Sequence, residues 1–112
     1  MKTDLENKGI SAAQYRFAII VSRWNRRITS KLLLGARRAL SEANASAVDI
    51  FEVPGAFELP LAAQKAAETK KYDAVIALGT VIRGETVHFD LVAENAARGI
   101  SEANLKTGVP IL

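Results

Sequence analysis

An α/β fold, with a parallel, doubly wound sheet between two layers of helices, is predicted by three features of the 112-residue sequence. Residues 16–22, 48–53 and 73–78 are short, largely apolar runs, the pattern of strands covered on both faces. Longer stretches with apolar residues at helical spacing separate them. The resulting alternation, β-α-β-α-β-α-β, implies parallel strands joined by crossover helices.

Arg16-Phe17-Ala18-Ile19-Ile20-Val21-Ser22 is the first strand, partly β-branched and almost without polar residues. A polar loop over residues 23–28 follows. Thr29 or Ser30 is the expected cap of the first helix, whose stripe is Leu32, Ala36, Ala39, Leu40 and Ala43 and whose end falls near Asn44. Residues 48–53 form the second strand, Pro54-Gly55 a break, and residues 57–69 a second helix. Pro60 lies in that helix's first turn, where a missing N–H costs little. Residues 73–78 are the third strand. Phe89, Val92, Ala93, Ala96, Ala97 and Ile100 mark a third helix ending between Leu105 and Gly108, and residues 109–112 begin a fourth strand.

The expected architecture is therefore a three-layer α-β-α sandwich of the flavodoxin-like kind. Residues 16–112 form the domain and the polar residues 1–15 a loose arm. Ligands of such sheets bind beyond the carboxyl ends of the strands, so the loops 23–28, 54–58 and 79–88 converge by topology alone.

Composition narrows the function classes. Fifteen Lys and Arg against twelve Asp and Glu leave a formal net charge of +3, which favours small anions over nucleic acid as partners. The sequence has no cysteine, so a disulfide framework and a thiolate metal site are both excluded. With neither an apolar leader nor a membrane-spanning run, the expected address is cytoplasmic, with no membrane partner. No metal, nucleotide or dinucleotide pattern is present.

Chemistry concentrates in Gly79-Thr80-Val81-Ile82-Arg83-Gly84-Glu85-Thr86-Val87-His88-Phe89. An imidazole titrates near pH 6.5, so His88 suits general acid–base work; the plainer reading is a helix-start histidine bonded to its neighbours. Gly84, Glu85 and Thr86 before a helix offer main-chain donors, a hydroxyl and the positive dipole end to a phosphate, or simply an ordinary cap. Trp24 and Asn25 combine a flat apolar face with an amide, suited to a polar heteroaromatic ring or to filling a gap at the sheet edge. Glu58, after Phe57, can accept from polyol hydroxyls or serve a helix's first turn. Arg83 attracts anions or is merely solvated, and Arg37 and Arg38 belong to a solvated helix face.

Val21-Ser22-Arg23-Trp24-Asn25, Val53-Pro54-Gly55-Ala56-Phe57-Glu58-Leu59-Pro60 and the run from Tyr72 through Thr86 to His88-Phe89 together resemble 6,7-dimethyl-8-ribityllumazine synthases. The resemblance implies condensation of 5-amino-6-(D-ribitylamino)uracil with 3,4-dihydroxy-2-butanone 4-phosphate, the penultimate step of riboflavin synthesis, with no cofactor. It also implies residue roles: Trp24 against the pyrimidine, with Asn25 beside it, and Ala56, Phe57 and Glu58 around the ring and ribityl chain. Thr80, Val81 and Ile82 would contact the pyrimidine through main chain. Glu85 and Thr86 would hold the phosphate, and His88 would transfer protons.

The family forms pentamers, some built into icosahedral shells, with sites between subunits and the N-terminal arm adding to a neighbour's sheet. Its members continue past the fourth strand into two helices that complete the site. The expectation is therefore a homo-oligomer, with a second chain as one source of that part. The competing reading is a shell or ligand-binding protein without turnover. A flavodoxin-like signalling module is disfavoured because Arg23-Trp24-Asn25-Arg26-Arg27 lacks a hydroxyl-rich phosphate loop.

Overall fold

Three parallel strands order as β2-β1-β3, with β1 at Arg16–Ser22, β2 at Ala47–Val53 and β3 at Ala74–Leu78. The structure, a computed structural model, describes residues 10–84 and 88–112. β1 is central because it is apolar on both faces: Ala18, Ile19, Ile20 and Val21 are all buried. Its register runs from Arg16 opposite Ala47 to Ser22 opposite Val53 on one side, and from Phe17 opposite Ala74 to Val21 opposite Leu78 on the other.

Alternation along the strand divides these residues between two layers. Ala18 and Ile20 pack with Val75, Ala63, Ala66, Ala67 and Ala103, beneath helices α2 (Leu59–Glu68) and α3 (His88–Thr107). Ile19 and Val21 point the opposite way, toward helix α1 (Arg26–Glu42), which packs on β1 and β3. The α-β-α sandwich with a parallel doubly wound sheet is thus as predicted.

Three local readings need correction. Helix α1 starts at Arg26, so neither Thr29 nor Ser30 is its cap. Asn25 takes that place in the left-handed conformation, with φ 63° and ψ 47°, and its carbonyl accepts the N–H groups of Ile28 and Thr29. Thr29 is buried inside the helix, and the Ser30 hydroxyl donates to the Arg26 carbonyl. The inward stripe also shifts by one residue: Leu32 is exposed while Leu33 is half-buried, in phase with Thr29, Ala36, Leu40 and Ala43.

The second helical segment opens with a 3₁₀ turn, Ala56–Glu58, before α2, with Pro60 in the first turn as expected. Residues 109–112 begin a fourth parallel strand beside β3, as expected, with Ile111 bridged to Val75. The main chain pairs there: Val75 donates to Pro110, Leu112 donates to Val75, and Ala77 donates to Leu112.

The expected loose arm falls mainly on residues 1–9, outside the described residues. Within its described part, Ala12 is buried and donates to the Ala43 carbonyl at 2.6 Å.

Candidate functional site

The chain passes from β1 outward to β2 and then crosses back over β1 to β3, so the switch point of the sheet lies between the carboxyl ends of β1 and β3. A cleft of about 310 Å³ opens there, lined by Trp24, Asn25, Ala56, Phe57, Glu58, Thr80, Val81, Ile82, His88 and Val92. Nine of these were singled out from sequence. Glu85 and Thr86, the expected phosphate segment, lie outside the described residues.

Each loop is positioned by main-chain bonds. Arg23 donates to Val53 at 2.8 Å and Trp24 donates to Pro54 at 3.0 Å, which laces the first loop to the second. Beside them the salt bridge Arg26 to Glu52, 3.3 Å, joins the start of α1 to β2. The indole of Trp24 lies over Gly55: a Cβ added there would stand 3.0 Å from the ring's Cε3. Glycine at 55 therefore lets the ring settle onto the backbone, leaving Trp24 63% exposed as one wall.

Glu58 is anchored by the turn that carries it. Its Oε1 accepts the Gly55 N–H at 2.9 Å, and its own N–H donates to the Gly55 carbonyl at 3.2 Å, a reciprocal cap. A carboxylate accepts at several lone-pair positions, so Oε2 retains capacity toward the cleft. On the third side, Gly79 brings the backbone close: a Cβ there would meet Leu59 Cδ1 at 2.7 Å. The main chain then runs as irregular backbone through Thr80, Val81 and Ile82, where its groups are not committed to a strand.

His88 is the first residue of α3 and exposed, and Val92 follows one helical turn later on the same face. Val92 was read from sequence only as part of the helix stripe. Its place beside His88 follows from the i, i+4 spacing. Arg83 stands with its guanidinium carbon 5.8 Å from the centroid of the Phe89 ring, a cation–π contact at the outer rim.

Next to the cleft lies an apolar hollow of about 370 Å³, with Ala56 and Val81 lining both and Leu59, Gly79, Ile100 and Leu112 among the rest. Among the described residues no group of three His, Asp or Glu side chains is placed to hold a metal ion, and no helix is long and apolar enough to cross a membrane.

A flat indole, an anchored carboxylate, a stretch of main chain outside any strand and an imidazole thus share one cleft. Comparison with known proteins points the same way. The family described as 6,7-dimethyl-8-ribityllumazine synthase matches residues 14–112.

The chain belongs to the lumazine synthase family.

Relatives named 6,7-dimethyl-8-ribityllumazine synthase include those of Thermococcus onnurineus, 50% identical over 95 residues, and Chlorobium luteolum, 52% identical over 107. The first alignment covers 85% of this chain and 62% of the relative, the second 91% and 67%. The relative from Thermococcus kodakarensis is 47% identical over 87% of this chain and 62% of its own length. The chain therefore spans a little over three fifths of the length of the Thermococcus lumazine synthases that it matches.

Proposed function

We propose that the cleft condenses 5-amino-6-(D-ribitylamino)uracil with 3,4-dihydroxy-2-butanone 4-phosphate to give 6,7-dimethyl-8-ribityllumazine. The observation that carries this reading is the convergence of Trp24, Glu58 and His88 on one cleft in a member of this family. Trp24 stacks on the pyrimidine, with Asn25 at its edge. Ala56 and Phe57 border the ring, and Glu58, steadied by Gly55, accepts the ribityl hydroxyls. Main chain of Thr80, Val81 and Ile82 reads the pyrimidine's polar edge, and Glu85 and Thr86 hold the phosphate.

The chemistry needs proton transfers more than a strong nucleophile. The 5-amino nitrogen attacks the ketone carbon and water leaves, forming an imine. A proton is taken from C3 of the butanone chain as inorganic phosphate departs from C4 with its electron pair, the resulting enol tautomerises to a ketone, and the ribityl-bearing nitrogen closes the ring with loss of a second water. His88 gives and takes the protons, and holding both reactants in register supplies much of the acceleration.

In the same reading the protein is a cytoplasmic homo-oligomer, pentamer-based, with the cleft completed at a subunit boundary. A second reading is ligand binding without turnover. Mixing the protein with both substrates and following lumazine fluorescence and phosphate release separates the two. Product at the rate of release supports the first reading, and retention of the ribityl compound without product supports the second.

A further inference from the structure

Ser22 is the last residue of β1 and is 1% exposed, and its Oγ has no hydrogen-bond partner among the described residues. It pairs with Val53 on the β2 side, but the ladder to β3 ends one step earlier, at Val21 opposite Leu78. Ser22 and Gly79 therefore face each other just past the last paired residues, where the sheet opens into the cleft. A Cβ at Gly79 would lie 3.3 Å from Ser22 Oγ, 2.7 Å from Leu59 Cδ1 and 3.5 Å from Ala56 Cβ. The hydroxyl thus meets the bare main chain of Gly79 in otherwise apolar surroundings.

Leaving a buried hydroxyl without a partner is unfavourable, and such a group in a folded protein calls for an explanation. Bulk solvent does not supply one, because the oxygen is sealed from it. The main chain that meets it leads directly into Thr80, Val81 and Ile82, one wall of the cleft.

We propose that Ser22 is a positioning residue: its hydroxyl donates to a main-chain carbonyl of the 79–80 segment when the ribityl-bearing pyrimidine is bound, fixing the Thr80 to Ile82 wall against the ring. This rests on the functional reading above. It makes Ser22 a group whose bond forms with the ligand, so that its contribution appears in affinity and not in the stability of the free protein.

The test uses Trp24, the sequence's only tryptophan, as the reporter of binding. Quenching of its fluorescence by 5-amino-6-(D-ribitylamino)uracil gives Kd, and thermal melting without ligand gives Tm. Ser22→Ala weakens Kd by about tenfold, the worth of one hydrogen bond, while Tm stays equal or rises. Ser22→Cys, which keeps the size with a weaker donor, falls between the two. Equal Kd for wild type and Ser22→Ala overturns the inference alone. A Tm clearly below wild type also overturns it, since the hydroxyl would then be bonded without ligand. A wild-type protein whose fluorescence does not respond overturns the functional reading, and the inference with it.

Discussion

The side-chain amide of Asn104 closes both main-chain groups of Ile111: Nδ2 donates to the Ile111 carbonyl at 2.9 Å and Oδ1 accepts the Ile111 N–H at 2.7 Å. The same Nδ2 donates to Ile100 at 2.9 Å, so one side chain ties α3 to the outermost strand segment. Because Pro110 and Leu112 already pair with β3, the amide acts as a stand-in for the next strand and blunts the sheet edge at Ile111.

Asn104→Ala removes that closure and leaves the Ile111 groups without protein partners. The expected loss is about 2 kcal/mol, read as a lower urea midpoint at unchanged slope. Asn104→Asp is no rescue, since a carboxylate would face the two carbonyl oxygens that Nδ2 now serves. Full stability in Asn104→Asp would contradict the assignment of the amide.

His88→Ala lowers kcat by about 10²-fold if His88 transfers protons in the proposed condensation. Measurable turnover remains, because alignment of the two substrates survives the substitution. Steady-state rates with both substrates decide it, and an unchanged kcat removes His88 from that role.

Glu58 has a structural task and a proposed binding task, and two substitutions separate them. Glu58→Gln keeps an oxygen for the Gly55 N–H, so its Tm stays close to wild type while affinity for the ribityl compound drops about tenfold. Glu58→Ala loses the cap as well, at a further cost of about 1 kcal/mol. Equal affinity in both variants and wild type would place the ribityl chain elsewhere.

Glycines in two helices should respond to alanine with opposite signs. Gly35 in α1 has nothing within 4 Å of an added Cβ, so Gly35→Ala gains about 0.5–1 kcal/mol from helix propensity. At Gly99 in α3 the same Cβ would stand 2.5 Å from Pro60 Cβ and 2.7 Å from its Cγ. A proline ring cannot swing aside, so α2 and α3 must separate and Gly99→Ala loses about 1–3 kcal/mol. Urea melts of the two variants check both signs.

Tyr72 should carry a small pH-dependent share of stability, screened by solvent because its bond to Asp49 is exposed. Its phenol is held above the ordinary tyrosine value, first by the hydrogen bond it donates to Asp49 at 2.5 Å, then by burial and by the Asp49 charge. A pKa raised on folding stabilises while the group is protonated, so the contribution is full below about pH 10 and is lost as pH climbs through the raised value. Tyr72→Phe should melt below wild type at pH 8, and the gap should close as both are melted at increasingly alkaline pH. A gap that widens with pH would refute the bond.

The strands were legible because β1 has no polar face to hide: a run such as Phe17 to Val21 has few uses besides a central strand. The start of α1 was not, because Asn25 begins the helix through backbone conformation, while the polar residues from Arg23 to Arg27 carry no helical periodicity. The cleft's residues could be gathered from topology, since three loops at the carboxyl edge must meet. What sequence could not convey is contact: that Trp24 rests on Gly55, that Val92 turns toward the cleft, or that Ser22, apparently just the end of an apolar strand, holds an unmatched hydroxyl.

The seat of the tryptophan on residue 55 limits how this cleft can change. Any side chain at that point would press on the ring, whatever its polarity, since its first carbon already stands 3.0 Å from Cε3, so position 55 offers little fine adjustment of ligand preference. Retuning has to come from the size of the aromatic at 24 or from the opposite wall, and variants with altered ligand choice should cluster there.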